Sequence, residues 1–371
     1  MSLLYPVLFP VFRHPLASES TKPMKPLAFV LLFVGLAPSL ALAQRITVKG
    51  NRFQVDGKEI WISGANTPWK TWNEFGNKFD AAWWREHFRE LREAGVNCTR
   101  VWISCSGDNA SPGIDAGGHV SAPTPAFWRD LDSLFAIAQE TRVYLMLSLI
   151  SFDHSKPGNR NAEAWKRMYS RPEGRQSFID NYTVPLVERY KHNPWFFAVD
   201  VGNELVWTWE NHKVARKDTL DLVARVANAV HARSKVLVCE GEGAGPKYNS
   251  DKYEGNFYSD KALGALQPGA FVDFYNIHYY DWVRPHFGSP FERSPADYGM
   301  DHKPCIIGEC PARGSAGQSI ADNYRNAFAK GWQGIMPWTS NGADRNGNLT
   351  TMRPGLEWLV KTHPQLIDPA Q

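Results

Sequence analysis

The chain has 371 residues, of which 43% are hydrophobic, so it is long enough for one large barrel or for two ordinary domains. The net charge of +3, with 21% charged residues and no long basic run, argues against a nucleic-acid partner. Aromatic residues make up 13% of the chain and include 15 tryptophans, which suit either a well-packed core or flat surfaces that stack on a ligand.

The N-terminal segment has the pattern of an export signal. Met24 and Lys25 precede an apolar stretch over residues 27–37, and the segment ends in Ala41-Leu42-Ala43, a small-residue cleavage site. A membrane anchor is the alternative, but the stretch is short for a span and Pro38 interrupts it. We therefore predict that residues 1–43 are a leader and signal peptide cleaved after Ala43. The mature chain would be secreted or periplasmic, and free of the membrane.

The cysteines do not form the framework of a disulfide-rich protein. Their odd number in a chain of this length, mostly in or beside apolar runs, favours buried free thiols over bridges. At most two pairs could form, and no spacing resembles a zinc site; the residues are Cys98, Cys105, Cys239, Cys305 and Cys310.

Beyond the leader, a polar segment over residues 46–62 predicts a β-hairpin with Asp56-Gly57 as its turn. Strand and helix patterns then alternate to the end of the chain. Apolar runs predict strands within 61–69, 96–104, 142–150, 195–204, 235–243, 271–280, 303–310 and 334–342. Helical spacing predicts helices over 80–95, 125–140, 175–190, 218–234, 259–266, 320–331 and 355–363.

This alternation predicts an α/β fold, a single (β/α)8 TIM barrel over residues 44–371 with a short N-terminal β-hairpin. The strands are nearly continuous apolar runs, as expected of parallel strands covered on both faces. A doubly wound open sheet is the main alternative. The first strand, however, is not followed by the glycine-rich phosphate fingerprint that such a sheet usually carries.

In a TIM barrel the active site lies at the carboxyl ends of the strands, so the residues that end each strand are the candidates. Carboxylates, amides, histidines and tryptophans in this position suit a sugar cleft, because polar groups bind hydroxyls and indole faces stack on sugar rings. In strand order these residues are Asn66, Trp69 and Trp72; Arg100 and Trp102; Asp153 and His154; Asn203 and Glu204; Glu240 and Glu242; His278 and Tyr280; Glu309; and Trp338.

The order of these residues resembles that of the clan A glycoside hydrolases, and most closely family five, which contains cellulases and mannanases. The resemblance lies in "VGNE" and "IIGE" ending two strands, with "IHYY" between them, and it covers the whole mature chain in strand order. One departure is Leu205, which follows the Asn-Glu pair where the family frequently has proline.

The resemblance implies a role for each residue. Glu204 would be the general acid/base and Glu309 the nucleophile of a retaining mechanism, with one protonated and one ionised carboxyl group. We expect Arg100 to lower the pKa of Glu309, and burial with a nearby negative charge to raise that of Glu204. The supporting and substrate-binding residues would be Arg100, Asn203, His278, Tyr280, Trp338, His154, Trp69 and Trp207.

The resemblance implies a monomeric enzyme that needs no cofactor or metal and acts on a polysaccharide or oligosaccharide. A β-1,4-linked mannan or glucomannan is favoured; a cellulase-type β-glucanase or an exo-acting β-glycosidase stays open. Two other classes are weighed. A barrel that only binds carbohydrate should lack one of the two glutamates, and a metal-dependent barrel hydrolase should carry clustered histidines on its first strand, which ends in "GANTPW".

Overall fold

The computed structural model describes residues 45–108 and 111–368. The predicted leader and its cleavage site lie outside these ranges. Within the described ranges, none of the helices has the length and apolar character that a membrane span needs. All five cysteines are buried and none is in a disulfide.

Eight parallel strands close into a barrel in sequential order, which confirms the predicted TIM barrel. Every residue of these strands is buried, because helices cover the outside and side chains fill the inside. The barrel strands are β4 (Ile62–Asn66), β5 (Cys98–Trp102), β6 (Tyr144–Ser148), β7 (Phe196–Asn203), β8 (Leu237–Glu242), β9 (Tyr275–His278), β10 (Cys305–Glu309) and β11 (Gly334–Ile335).

The predicted hairpin is present and gains a third strand. Strands β1 (Thr47–Lys49), β2 (Arg52–Val55) and β3 (Lys58–Ile60) form an antiparallel sheet. Asp56 and Gly57 make the turn, with φ of 52° and 75°. Phe53 packs edge-on against Phe197 and Phe274, at the start of β7 and just before β9. The small sheet therefore covers the amino-terminal end of the barrel, away from the predicted site.

The helices are α1 (Ala81–Glu93), α2 (Pro125–Thr141), α3 (Ala162–Ser170), α4 (Pro172–Phe178), α5 (Val184–Tyr190), α6 (Val206–Glu210), α7 (Arg216–His231), α8 (Asp260–Leu266), α9 (Arg284–Phe287), α10 (Ile320–Ala329) and α11 (Leu349–Thr362). Local chemistry sets the starts of the first two. The Asp80 carboxylate caps α1 by accepting from the Ala82 and Trp83 N–H groups, and Thr124 caps α2, which has Pro125 in its first turn.

Candidate active site

A cleft of about 390 Å³ opens at the carboxyl ends of the barrel strands. Its walls come from strand ends and from the loops that follow them, as the fold dictates. The lining residues are Trp69, Trp72, Trp102, Phe152, Asp153, Lys156, Asn203, Glu204, Tyr280, Glu309, Trp338, Asp344 and Asn346.

Both candidate catalytic glutamates follow an irregularity in their strand. The pairing register shifts between Asp200 and Asn203 on β7, and again between Ile307 and Glu309 on β10. Such irregularities turn a side chain away from the direction that regular alternation would give it. The register shifts thus lie next to the two glutamates, at the strand ends where their side chains enter the cleft.

Both carboxylate oxygens of Glu309 accept hydrogen bonds from neighbouring side chains. Its Oε1 accepts a hydrogen bond from Arg100 Nη1 at 2.7 Å, and its Oε2 accepts one from the Tyr280 hydroxyl at 2.9 Å. Arg100 is fully buried, and its Nε donates to Asp200 Oδ2 at 2.8 Å while Nη2 donates to Asn203 Oδ1 at 2.9 Å. A bonded cation and a phenol fix the Glu309 carboxylate in one orientation.

Glu204 has a different environment. Trp207 Nε1 donates to its Oε2 at 2.8 Å, and His278 Nδ1 lies 3.0 Å from its Oε1. Its backbone is in the left-handed region, with φ of 52°, although it is not a glycine. Its carboxyl group thus contacts an indole and an imidazole rather than a cation.

The two carboxyl groups are close together. Ligand-type atoms of Glu204, His278 and Glu309 all lie within 4.8 Å of one another. Retaining glycosidases hold their carboxyl groups about 5 Å apart, whereas inverting enzymes leave room for a water molecule between them. The same three side chains could in principle hold a cation, but the bonded Arg100 guanidinium already supplies positive charge to Glu309.

The two carboxyl groups differ in the neighbours that act against the effect of burial. Burial raises the pKa of both Glu204 and Glu309. At Glu309 the neighbouring His278, Arg100 and Tyr280 oppose this rise in the pKa, while the Glu204 charge adds to it. At Glu204 the opposition comes from the Trp207 hydrogen bond and the Arg100 charge. The net lowering expected at Glu309 is therefore not found, because full burial outweighs the cation. Only Glu309 has a cation hydrogen-bonded to its carboxyl group, so the geometry favours the ionised form there.

His278 is neutral in this setting. Burial lowers its pKa to about 4, with the Arg100 charge acting in the same direction. Its Nδ1 is 3.0 Å from Glu204 and 3.4 Å from Glu309. With its proton on Nδ1, the imidazole donates towards both carboxyl groups and links them.

Tryptophans form one wall of the cleft. The rings of Trp102 and Trp338 are buried against Cys105, and Trp69 packs on both at centroid distances of 5.1 and 5.8 Å. Trp338 Nε1 donates to Asp344 Oδ2 at 3.0 Å, and the peptide bond that follows Trp338 is cis. Trp72 extends this wall with 40% of its surface exposed, which suits stacking on a sugar ring.

Two residues have surroundings that differ from those expected. His154 is fully buried away from the cleft: Nε2 is 2.8 Å from Ser104 Oγ, Nδ1 is 3.1 Å from the Ser151 carbonyl, and Trp165 packs against the ring. Its burial lowers its pKa to about 3, so it is a neutral structural residue. The Trp207 Nε1–H donates to Glu204 and the ring packs on Trp282, so this tryptophan lies beside Glu204 and is not among the residues that line the cleft.

Sequence reasoning missed four residues of the cleft wall, which are Phe152, Lys156, Asp344 and Asn346. All four lie in loops directly after β6 or β11 rather than at strand ends. Their position in the chain was the available signal, because the loops at this face of a barrel carry its binding residues. Loop shape, which brings them into the cleft, has no comparable sequence pattern.

Comparisons with known proteins agree with the fold and with the predicted resemblance. The chain is 25% identical to a mannan endo-1,4-β-mannosidase from Cryptopygus antarcticus, covering 90% of this chain and 95% of that protein. It is 24% identical to one from Mytilus edulis, covering 85% and 93%. The crystal structure of the Cryptopygus antarcticus β-1,4-D-mannanase superposes with a TM-score of 0.76 at 23% identity, over 85% of this chain and 94% of that one. No family model matches the sequence. The predicted resemblance to mannanase-type glycoside hydrolases is confirmed.

Proposed function

We propose that this chain is a retaining glycoside hydrolase that cleaves internal β-1,4 linkages of mannan or glucomannan. The observation that carries the proposal is the pair of glutamates at the ends of β7 and β10, within 4.8 Å and in unlike environments. The substrate and the endo mode are supported by the relatives named mannan endo-1,4-β-mannosidase, since the alignment spans 95% and 93% of the first two.

In the first step, the ionised Glu309 attacks the anomeric carbon while Glu204 gives its proton to the leaving glycosidic oxygen. The bond from carbon to that oxygen breaks, and a covalent glycosyl-enzyme forms. In the second step, Glu204 takes a proton from water, the water oxygen attacks the same carbon, and Glu309 leaves as a carboxylate. The sugar therefore keeps its anomeric configuration.

The surrounding residues support these steps. Arg100 and Tyr280 hold the Glu309 carboxylate in place for attack. Asn203 accepts from Arg100 through Oδ1, which directs its Nδ2 away from the guanidinium, where it can donate to a sugar hydroxyl. Trp338 and Trp69 provide apolar ring faces on the opposite wall of the cleft. The tryptophans and the amide thus supply the two kinds of contact that a pyranose needs.

Export is a further part of the proposal. The apolar stretch over residues 27–37 and the Ala41-Leu42-Ala43 site support secretion with cleavage after Ala43, and a catalytic domain over residues 44–371 that acts as a monomer. A substrate too large to enter a cell fits an exported enzyme. N-terminal sequencing of the protein recovered outside the cytoplasm, with its mass in solution, tests both points.

The test of function is hydrolysis of galactomannan, glucomannan, carboxymethylcellulose and barley β-glucan by the purified protein. We expect reducing ends from the mannans, a fall in viscosity at low conversion, and a first-formed product of retained configuration by NMR. Release from the β-glucans alone would move the assignment to a β-glucanase. Slow viscosity loss would indicate an exo-acting enzyme, and binding without release would indicate a carbohydrate-binding barrel.

The matched variant is Glu309→Gln, which keeps the shape of the side chain and removes the nucleophile. We expect turnover to fall by at least about 10³-fold while mannohexaose still binds in calorimetry. More than a few per cent of residual activity would contradict the assignment of Glu309.

A further inference from the structure

A second pair of carboxyl groups lies behind the acid/base. Glu240 and Glu242 lie at the end of strand β8; they are only 4% and 0% exposed, and neither is among the residues that line the cleft. The buried phenol of Tyr258 interacts with both. Buried carboxyl groups are expensive unless hydrogen-bonded, and the steps above do not use this pair.

Glu204 has a backbone conformation that must be held by its surroundings. Its φ of 52° lies in the left-handed region, which has an energetic cost for a non-glycine residue. Two hydrogen bonds to β8 oppose that cost. The Glu204 N–H donates to the Gly241 carbonyl at 2.9 Å, and the next N–H, that of Leu205, donates to Glu240 Oε1 at 3.2 Å. The backbone on both sides of the Glu204 α-carbon is thereby tied to one strand end.

The same strand end also limits the Glu204 side chain. A β-carbon added at Gly243 would come within 2.7–2.8 Å of three carbons of the Glu204 side chain. Gly243 is therefore the close wall against which that side chain rests. Glu242 contributes nearby by accepting from the Ala244 N–H at 3.0 Å, which fixes the turn after Gly243. The end of β8 thus contacts the Glu204 backbone, and Gly243, the residue after that strand, contacts the Glu204 side chain.

We propose that Glu240 is a positioning residue for the acid/base: through the Leu205 N–H it holds Glu204 in the left-handed conformation that aims its carboxyl group at the glycosidic oxygen. The inference rests on the proposed function and deepens it. Glu240 touches neither substrate nor reacting atoms, so its effect appears only in the step that needs a correctly placed proton donor.

Glu240 acts as a neutral hydrogen-bonding group. Burial raises the pKa of Glu240 far above its usual range, and the Glu242 charge adds to this. Burial also raises the pKa of Glu242, to about 8. A protonated carboxyl group still has a carbonyl oxygen that can accept the hydrogen bond from the Leu205 N–H. The side-chain amide of glutamine has a carbonyl oxygen in the same position. Glu240→Gln is therefore the conservative variant, and Glu240→Met removes the acceptor at similar volume.

The experiment compares two substrates that differ in their need for a proton. Mannohexaose has a poor leaving group and requires the acid, whereas 2,4-dinitrophenyl β-mannobioside has a leaving group that departs without one. The measured quantity is kcat/KM, which covers the steps up to formation of the glycosyl-enzyme. For Glu240→Met we expect a loss of about 10- to 100-fold on mannohexaose and less than about threefold on the aryl substrate. Glu240→Gln should stay within about threefold of wild type on both.

Two further variants complete the test. Gly243→Ala pushes on the Glu204 side chain directly and should show the same split between substrates, which keeps the inference testable if Glu240→Met fails to fold. Asp221→Asn changes a buried carboxylate on the outer helix α7, where it pairs with Arg175 and Arg225. This matched control should leave the ratio of the two substrates unchanged.

Equal losses on both substrates would mean that Glu240 has only a structural role, and this would overturn the inference. Full activity of Glu240→Met would also overturn it. So would a Glu240→Gln variant that loses as much activity as Glu240→Met. If wild type cleaves β-glucan instead, the same comparison is made with cellohexaose and 2,4-dinitrophenyl β-cellobioside. A wild-type protein that is inactive on both the mannan-type and the glucan-type substrates would overturn the proposed function itself. An active wild type whose variants lose equal activity on the oligosaccharide and the aryl substrate would overturn only the role of Glu240.

Discussion

The hydrogen bond from Trp207 to Glu204 lowers the pKa of the proposed acid/base. In Trp207→Phe, the Nε1–H that donates to Glu204 Oε2 at 2.8 Å is lost, while most of the aromatic ring that packs on Trp282 is kept. This bond stabilises the ionised form of Glu204 and so lowers its pKa. Its removal should raise the pKa, and the acid should remain protonated to higher pH.

The size of the shift follows from the strength of the bond. A hydrogen bond to a charged group contributes about 1.5–3 kcal/mol, and about 1.4 kcal/mol corresponds to one pKa unit. Trp207 is only partly buried, so water can replace some of the lost interaction. We therefore expect the basic limb of the pH profile of kcat/KM to move up by about one unit, the low end of that range.

The assay is kcat/KM on mannohexaose between about pH 4 and 9, with the limbs fitted separately. Trp209→Phe is the matched control, since it makes the same change two residues away on a ring that packs on Tyr248. That variant should leave the basic limb in place. An unmoved limb in Trp207→Phe, or one moved to lower pH, would refute the assignment of Glu204 as the proton donor.

Two further predictions concern Glu309. Tyr280→Phe removes the hydrogen bond that the phenol donates to Glu309 Oε2. Because that bond lowers the pKa of Glu309, its loss should move the acidic limb of kcat/KM to higher pH, and kcat should fall about tenfold or more. An unchanged acidic limb would contradict the contact. Arg100→Met leaves Asp200 and Glu309 buried without their cation, so the free energy of unfolding in urea should fall by about 3–5 kcal/mol and activity should be lost; a variant as stable as wild type would mean that the ion pairs contribute nothing net.

The barrel could be predicted from sequence because its strands carry a strong local signal. Parallel strands covered on both faces are apolar throughout, and "WFFAVDVGNE" or "KPCIIGEC" shows this within ten residues. Helix starts were equally visible, since Asp80 and Thr124 have the chemistry of capping residues. The topology brings residues at the ends of such strands to one face of the barrel, and the resemblance to family five implied that Arg100 and Tyr280 would contact Glu309.

The parts that sequence did not predict depend on loops and on burial. Helix α3 was missed, and the helix predicted over 175–190 is divided by a π-helical turn at Ile179–Thr183. His154 follows its strand as a site residue would, yet the short helical turn at Phe152–Ser155 directs it inward. Hydrophobic spacing does not specify how such a turn is oriented, so the side of the loop that faces the cleft is not fixed by sequence alone.

Charge balance in the buried centre is compatible with the opposite roles proposed for two carboxyl groups whose pKa values are both raised. Arg100 is bonded to both Asp200 and Glu309, so its single positive charge is shared by two acids. Glu204 contacts neutral groups instead, the Trp207 indole and the His278 imidazole. A third negative charge in this volume would lack a bonded cation, and protonation is the cheapest way to avoid it. The proposed assignment of Glu204 as the acid therefore rests on the position of Arg100, which is bonded to Glu309, and not on burial.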